Sequence, residues 1–243
     1  MRYLVVSDIH SNAPALEAVL HDSPEFDALV CLGDVVGYGP NPNECVSRLS
    51  DFRLTCLAGN HDWGAIGKAD LLIFNREARL ALLWTQAVMR APATEFLKLL
   101  PPMLTLNDGI VLAHGSPRDP VWEYLVDGAS AAQCFEQFDF SLALVGHSHL
   151  PLVHEWLASE GRVRSLRAEA GVSLQLGGRR LILNPGSVGQ PRDGDPRAAY
   201  ALLDTEQLTW TFRRVSYPIA ITQERMRAQA LPQRLIDRLE VGR

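Results

Sequence analysis

The sequence contains no long hydrophobic run and no pair of cysteines at redox or metal-binding spacing. No apolar stretch approaches the roughly 20 residues needed to span a bilayer, and the short apolar run at residues 3–6 is followed by Asp8, unlike a signal peptide. The 4 cysteines form no CxxC motif in a chain of 243 residues, so we expect them to be reduced and buried. These absences predict a cytoplasmic protein with no membrane partner.

Positive charge is also scarce. The chain has 23 Lys and Arg against 28 Asp and Glu, a formal net charge of −5. This balance disfavours long nucleic acid as a partner, because a polyanion is bound through a positive surface. A small anionic substrate is compatible with this net charge, since a local positive site or bound cations could hold it. No repeat or linker divides the chain, so we expect one domain over residues 1–243.

Three apolar strands near the N-terminus each end in polar residues. They are predicted at residues 3–6, 28–32 and 54–58. Helices are expected after the first two strands, because Asn12 is a good N-cap and Asn41 precedes Pro42 and Glu44 in the pattern of a capping box. Open α/β sheets bind ligands beyond the carboxyl ends of their strands, so the polar residues there are candidate site residues.

The rest of the chain is predicted to be helical first and then rich in strands. Residues 69–100 show helical periodicity with a break at Pro92. Asp108-Gly109 favours a hairpin between two short strands. The further predicted elements are strands at 103–107 and 110–113, a helix at 130–137, strands at 142–145, 152–156, 172–176, 180–183, 200–203 and 208–215, and a helix at 219–239.

Five of the 7 histidines follow predicted strands and stand beside a glycine or a carboxylate: His10, His61, His114, His147 and His149. Each short motif also has an ordinary structural interpretation, because such residues cap helices or form hydrogen-bonded loop pairs. Taken together, the candidate donors offer only oxygen and imidazole nitrogen, enough for two divalent ions with one carboxylate between them. These donors are Asp8, His10, Asp34, Asn60, His114, His147 and His149.

Five short motifs occur in order along residues 8–149: DIH at Asp8, GD at Gly33, GNHD at Gly59, HG at His114 and GHSH at Gly146. Their order and flanks resemble the calcineurin-like metallophosphoesterase superfamily. The segment 184–192 is similar to the compact bacterial and archaeal phosphodiesterase branch of that superfamily. The resemblance implies an α/β fold, a four-layer α/β/β/α sandwich of two mixed sheets flanked by helices, with a helical segment at about 64–100 near the site.

The resemblance also implies two metal sites that share a bridging carboxylate. The ligands would be Asp8, His10 and His149 for the first ion, Asn60, His114 and His147 for the second, and Asp34 for both. His61 would bind neither ion and would act, in its charged form, as general acid or transition-state stabiliser, with Asp62 orienting it. Asn60, His61 and Arg192 would contact the substrate. Imidazole-rich ligation favours Mn²⁺, Fe or Zn²⁺ over Mg²⁺.

The implied function is that of a phosphoric ester hydrolase in which a metal-bridging hydroxide attacks phosphorus. The resemblance of segment 184–192 favours a phosphodiesterase for a small nucleotide-like phosphodiester or phosphoanhydride, such as a dinucleoside polyphosphate. A phosphomonoesterase is the main alternative. A protein phosphatase is disfavoured, because the phosphoprotein branch carries arginines where this chain has residues 36–38 (Val-Gly-Tyr) and 57–58 (Leu-Ala). A nuclease and a non-catalytic scaffold are further alternatives, and a homo-oligomer is left open.

Two features beside the motifs have two interpretations each. Arg192 could contact a phosphate, or it could stabilise a turn by pairing with Asp193 or Asp195. Tyr38 and Trp63 follow catalytic motifs closely, so their rings could stack on a nucleobase or could simply pack beside the site.

Overall fold

The structure is a computed structural model that describes residues 1–106 and 109–243. Within these residues the strands are β1 (Arg2–Val6), β2 (Ala28–Cys31), β3 (Leu54–Cys56), β4 (Met103–Thr105), β5 (Val111–Ala113), β6 (Leu142–Leu144), β7 (Pro151–Leu157), β8 (Arg162–Arg167), β9 (Ser173–Gln175), β10 (Arg180–Pro185), β11 (Ala198–Asp204) and β12 (Thr209–Val215). The helices are α1 (Ala13–Asp22), α2 (Pro42–Leu49), α3 (Asn60–Ala65), α4 (Arg76–Val88), α5 (Ala91–Lys98), α6 (Gly128–Gln137), α7 (Ile219–Ala228) and α8 (Gln233–Val241), with a short 3-10 helix at Leu71–Ile73.

The strands form two mixed sheets with helices against their outer faces. In the described part of the chain, the strand orders are β3-β2-β1-β11-β12-β9 and β4-β5-β6-β10-β7-β8. In the first sheet β1, β2 and β3 are parallel, and in the second β5, β6 and β10 are parallel. Antiparallel strands extend both sheets. The α/β sandwich of two mixed sheets that the resemblance implies is confirmed.

Apolar side chains from both sheets fill the space between them. In β1, Tyr3 and Val5 belong to this layer, whereas Leu4 and Val6 pack on the helix side, as the two-residue period of a strand requires. The large ring of Trp210 in β12 is buried in the same layer. Because both faces of β1 are covered, its sequence is continuously apolar and does not alternate with polar residues.

The loops that carry the candidate site residues meet at one edge of the sandwich. Parallel strands end at the same edge of a sheet, so the loops after β1, β2 and β3 lie together, and so do those after β5, β6 and β10. Backbone hydrogen bonds join them: Asp8 N donates to Gly33 O at 3.0 Å, and Gly146 N donates to His114 O at 2.8 Å. Segments far apart in sequence thereby form a single site.

The helical region after the third motif differs from its prediction at its start. Asn75 caps α4, since its Oδ1 accepts a hydrogen bond from Ala78 N at 2.9 Å, so the regular helix begins later than residue 69. The predicted break before a shorter helix is confirmed, because α4 ends at Val88 and α5 begins at Ala91. Pro92 lies in the first turn of α5, where its missing N–H is tolerated. No helix among the described residues has the length and apolar content that crossing a bilayer requires.

The structure also contains a strand that was not predicted, corrects one predicted helix cap and confirms one predicted strand pair. The strand β8 was not predicted. It pairs with β7 at the edge of the sheet and exposes most of its charged side chains, so its sequence lacks the apolar pattern that indicates a strand. Asn41 precedes α2, but its side chain makes no capping hydrogen bond. The predicted pairing of β4 with β5 is confirmed, whereas Asn107 and Asp108 of the predicted hairpin lie outside the described residues.

Candidate metal centre and active site

Asp8, His10 and His149 form a first cluster of buried ligand atoms. The Nε2 of His149 lies 3.2 Å from Asp8 Oδ1 and 3.1 Å from the Nε2 of His10. The Nε2 of His10 is 3.8 Å from the same carboxylate oxygen. The ligand atoms of the three residues lie within 4.8 Å of one another, close enough to surround one cation.

Asp34, His114 and His147 form a second cluster with the same spacing. The Nε2 of His114 lies 3.4 Å from Asp34 Oδ2 and 3.1 Å from His147 Nδ1. The side-chain oxygen of Asn60 is 3.3 Å from the same Nε2. Asp34 Oδ2 is also 3.6 Å from the Nε2 of His10 in the first cluster. The carboxylate of Asp34 therefore lies between the two clusters, where a bridging ligand would stand.

Backbone carbonyls orient three of the imidazoles. The Nδ1 atoms of His10, His114 and His149 each contact a carbonyl oxygen. The carbonyl partners are, in the same order, Val36 at 3.2 Å, Leu32 at 2.9 Å and Gln190 at 2.5 Å. A ring nitrogen that faces a carbonyl carries the proton, so the Nε2 of each neutral ring is left with a lone pair that points into the cluster.

This arrangement brings unshared lone pairs together, which is what a bound cation relieves. The Nε2 atoms of His10 and His149 face each other at 3.1 Å. In the second cluster, His114 Nε2 lies 3.1 Å from His147 Nδ1, so a proton or a metal ion can lie between these two rings. Two neutral imidazoles that meet in this way need a proton or a metal ion between them. The donor set of imidazole nitrogen and carboxylate oxygen suits divalent transition metals. The residues present therefore fit metal ions.

The backbone that carries the ligands is held in an unfavourable conformation. Five of the candidate ligands have positive φ angles, between 48° and 63°: Asp8, His10, Asp34, His147 and His149. The left-handed region costs a residue with a side chain about 1 kcal/mol or more. Such strain collects where the surrounding structure holds it in place for a function. Its concentration at these residues supports a functional site rather than a set of ordinary helix caps.

The buried charges of the two clusters shift one another's pKa values. Burial favours the neutral carboxyl, yet the imidazoles of His114 and His61 hold the pKa of Asp34 well below its usual range. The pKa of Asp8 is also lowered by imidazoles despite its burial. Burial disfavours the imidazolium form of His114, but Asp34 outweighs it and raises the pKa of His114 to about 9. Two carboxylates thus stand against one imidazolium, and this negative balance favours cations.

His61 lies beside the clusters among aromatic rings. The centroid of its ring is 4.8 Å from that of His10, 4.3 Å from that of Tyr38 and 5.2 Å from that of Phe74. Burial lowers the pKa of His61 to about 4, although the charge of Asp34 opposes this shift. The site therefore favours the neutral imidazole, whereas the family resemblance implies the charged form.

Asp62 hydrogen-bonds two loops and, among the described residues, makes no hydrogen bond to the His61 ring that it was expected to orient. Its carboxylate oxygens accept hydrogen bonds from Val36 N and Gly59 N, each at 3.0 Å. The Nδ1 of His61 has no hydrogen-bond partner among the described residues. This atom lies against Gly37, which has a φ of +94° and whose added Cβ would come within 2.6 Å of it. Asp62 therefore acts on the backbone around His61, and Gly37 leaves room for the imidazole.

Arg192 lies at the rim of the two ligand clusters and has N–H donors that no described protein group accepts. Its Nη2 donates to the hydroxyl of Tyr38 at 3.3 Å and to Gln190 Oε1 at 3.2 Å, while its buried Nε has no partner in the described structure. The two neighbouring acids pair elsewhere: Asp193 with Arg214, and Asp195 with Arg197. The interpretation of Arg192 as one half of a turn-stabilising ion pair is therefore wrong. Its unused donors suit an anion.

The order of the motifs and the two clusters are explained by comparison with known proteins. The family model described as "Calcineurin-like phosphoesterase superfamily domain" matches residues 1–208. The chain belongs to this superfamily. The resemblance stated from the five motifs is confirmed, and with it the expectation of a phosphoric ester hydrolase that binds metal.

Three relatives illustrate how far the similarity extends. The crystal structure of a metallophosphoesterase from Sphaerobacter thermophilus superposes with a TM-score of 0.92 at 43% identity, over 100% of this chain and 99% of that one. An uncharacterized protein of Methanocaldococcus jannaschii is 39% identical over 245 residues, which cover 98% of this chain and 97% of the relative. The phosphodiesterase YfcE of Escherichia coli is 24% identical over 221 residues, which cover 86% and 90% of the two chains.

The structure of this phosphoesterase adds one active-site residue that its motifs did not mark. Tyr124 stacks on His147 with ring centroids 3.8 Å apart and remains 50% exposed. It lies in the loop between β5 and α6, where neither periodicity nor a motif points to it. By contrast, Tyr38 is buried against His10 and His61, and the ring of Trp63 is covered by Lys68 at 4.1 Å. Of these three rings, that of Tyr124 is the most exposed beside the clusters.

Metal binding by this phosphoesterase is expected to release protons and to strengthen as pH rises. With its pKa raised to about 9, His114 is protonated near pH 7 in the metal-free protein and must lose that proton to become a ligand. The affinity for Mn²⁺ should therefore increase with pH up to about pH 9 and level off above it. Calorimetric titrations in two buffers of different ionisation enthalpy measure the released protons. Binding at neutral pH without proton release would contradict the expectation.

Proposed function

We propose that this phosphoesterase is a dinuclear, metal-dependent phosphodiesterase that hydrolyses a small nucleotide-like phosphodiester or phosphoanhydride, such as a dinucleoside polyphosphate. The observation that carries the proposal is the position of Asp34. Its Oδ2 lies 3.6 Å from the Nε2 of His10 and 3.4 Å from the Nε2 of His114. One carboxylate thus faces both ligand clusters, as two neighbouring ions would require.

The first ion would be held by Asp8, His10 and His149, the second by Asn60, His114 and His147, with Asp34 shared between them. We propose Mn²⁺, Fe or Zn²⁺ as the ions, because four imidazoles favour these metals over Mg²⁺. Bound there, they would supply Lewis-acid stabilisation of the phosphoryl charge and an activated water.

The chain's own side chains would bind and polarise the substrate. His61 is neutral in the free site, so its imidazole would donate a hydrogen bond to the departing oxygen and would not act as a positively charged general acid. Arg192 would contact a phosphoryl oxygen with the donors that the protein leaves unused. Asn60 would hold the second ion and stand next to His61 at the substrate, since both begin α3.

Two observations support a diester over a phosphoprotein or a long nucleic acid. The residues that take the place of the phosphoprotein-branch arginines are apolar or aromatic, and Val36 and Leu57 are buried. The chain is acidic overall, which disfavours a polyanion. Among the relatives, YfcE is named a phosphodiesterase. The cytoplasmic location remains a prediction from the sequence, and a homo-oligomer is still left open.

The test compares a diester with a monoester on the same metal-loaded protein. The protein is stripped with a chelator, dialysed and reloaded with Mn²⁺, and hydrolysis of bis(p-nitrophenyl) phosphate is measured against p-nitrophenyl phosphate. We expect metal-dependent turnover with a preference of about tenfold or more for the diester, because the second ester group fills space beside the clusters.

The control is His21→Gln, which changes an exposed histidine on α1 that lies in neither cluster. This variant should match the wild type in metal content and rate. A preference for the monoester would replace the proposal with a phosphomonoesterase. Absence of turnover on both esters and on diadenosine tetraphosphate, with metal bound, would favour a non-catalytic scaffold.

A further inference from the structure

A cavity of about 590 Å³ lies directly beside the active site. Tyr38 forms the wall between them, because its ring packs on His61 at 4.3 Å between centroids while its hydroxyl accepts from Arg192 at the cavity. Tyr124, which stacks on His147, lines the same cavity. The side chains of Tyr38 and Tyr124 are therefore shared between the active site and the cavity.

Helix α8 forms the opposite wall. Its apolar side chains Leu235 and Leu239 are buried in one cluster with Tyr38, so the helix is packed against the active site rather than attached loosely to the surface. Arg234 and Arg238 stand four positions apart, on one side of this helix, and both line the cavity. The packing of α8 therefore determines where these two guanidinium groups lie relative to the clusters.

The lining of the cavity is strongly positive in a protein of net charge −5. Its arginines are Arg192, Arg234, Arg238 and Arg243, and Glu77 is the one carboxylate side chain among the described lining residues. None of these four arginines takes part in an ion pair of the described residues. Arg238 donates from Nε to the main-chain oxygen of Arg243.

This grouping of like charges opposes folding. Two arginines four residues apart repel each other along a helix. Burial, together with the charges of Arg192 and Arg234, lowers the pKa of Arg238 to about 10. The Nε of Arg192 adds a buried donor without a partner in the described residues. A cluster of arginines without side-chain ion pairs attracts an anionic ligand, which would then stabilise the protein on binding.

We propose that this cavity is a second anion subsite, which binds a phosphate group of the substrate other than the one being hydrolysed. The proposal rests on the proposed function and narrows its substrate class. The scissile phosphoryl group would lie at the two ligand clusters, and the additional phosphate would contact Arg192, Arg234 and Arg238. Guanidinium groups bind phosphate oxygens in a bidentate way. The substrate is therefore a compound with at least two phosphate groups, such as a nucleoside or dinucleoside polyphosphate, and not a simple diester.

The first test measures anion binding without catalysis. Metal-free protein is titrated calorimetrically with inorganic tripolyphosphate. Because no metal ions are bound, this anion is expected to bind at the arginines of the cavity. We expect saturable binding that Arg234→Ala weakens about tenfold and Arg234→Ala/Arg238→Ala reduces further, because each lost guanidinium removes a charge-assisted hydrogen bond. Arg234 is exposed, so the single variant leaves the packing of α8 intact.

The matched control is Arg167→Ala/Arg213→Ala, which removes the same charge from exposed positions on β8 and β12. Its binding should equal that of the wild type. Equal weakening in the control would mean that only overall charge matters and would overturn the subsite, and so would the absence of binding to the wild type.

The second test uses the Mn²⁺-loaded protein and separates this inference from the proposed function. The ratio of kcat/KM for diadenosine tetraphosphate to that for bis(p-nitrophenyl) phosphate should fall about tenfold in Arg234→Ala. An unchanged ratio with active enzyme would overturn the subsite and leave the phosphodiesterase standing. If the loaded wild type hydrolysed neither compound, the proposed function would fail, and the calorimetry would still decide whether the cavity binds phosphate.

Discussion

Asp34→Asn is expected to abolish stable metal binding and to lower kcat by at least about 10³-fold. The amide keeps the size of the side chain and can still meet the backbone N–H of His61, which Asp34 Oδ1 accepts at 2.8 Å. It lacks the negative charge that faces His10 and His114. Metal content after loading and dialysis, measured by mass spectrometry of the elements, checks the first part, and steady-state kinetics checks the second.

Asp139→Asn is the matched control, because it makes the same substitution at an exposed position before β6. It should retain the metal content and rate of the wild type. His147→Ala is expected to lose metal as well, because it removes a ligand of the second cluster. If Asp34→Asn kept both metal and rate, the shared carboxylate would have no role in the centre and the dinuclear proposal would fall.

His61→Ala is expected to retain the metal and to lose about 10²- to 10⁴-fold in kcat. The imidazole is proposed to donate a hydrogen bond to the departing oxygen, and the need for this bond grows with the basicity of the leaving group. The loss should therefore be larger for a phenyl diester than for a p-nitrophenyl diester. Rates on both esters, together with metal content, check the prediction.

The same variant tests an alternative that the distances allow. His61 could join His10 and Asp34 around an ion, since their ligand atoms lie within 4.8 Å of one another. Loss of metal in His61→Ala to the extent seen in Asp34→Asn would make His61 a ligand. An equal rate loss on both diesters, with metal retained, would show that the imidazole does not act at the leaving group.

The elements that carry the motifs were predictable because local sequence signals and burial agree there. The strand β1 reads as a continuous apolar run, and Asn12 caps α1 as expected, accepting from Ala15 N at 3.3 Å. The strand β8 was missed because an edge strand needs little apolar surface. Asn41 was expected to cap α2, but its side chain is instead 3.4 Å from Arg225 of α7, a contact between distant segments that no local pattern indicates.

The candidate ligands were likewise predictable as a set, since they follow strands within recognisable motifs. Their protonation was not, because it depends on burial and on neighbours from other loops. His61 was expected to be charged, yet burial lowers its pKa to about 4 and favours the neutral ring. Despite the burial of His114, the carboxylate of Asp34, which follows a different strand, raises the pKa of His114 to about 9. Asp62 stands next to His61 in sequence, but it hydrogen-bonds the backbone of Val36 and Gly59.

Residue types and their spacing along the chain were enough to identify the family, the order of the strands that end in ligands, and the donor atoms. Which further side chains line the site depends on packing between distant segments. Helix α8 and the loop of Tyr124 reach the active site through packing against Tyr38 and His147. Contacts of this kind depend on the shape of two packed sheets and on a shared apolar core, which no local pattern in either segment encodes.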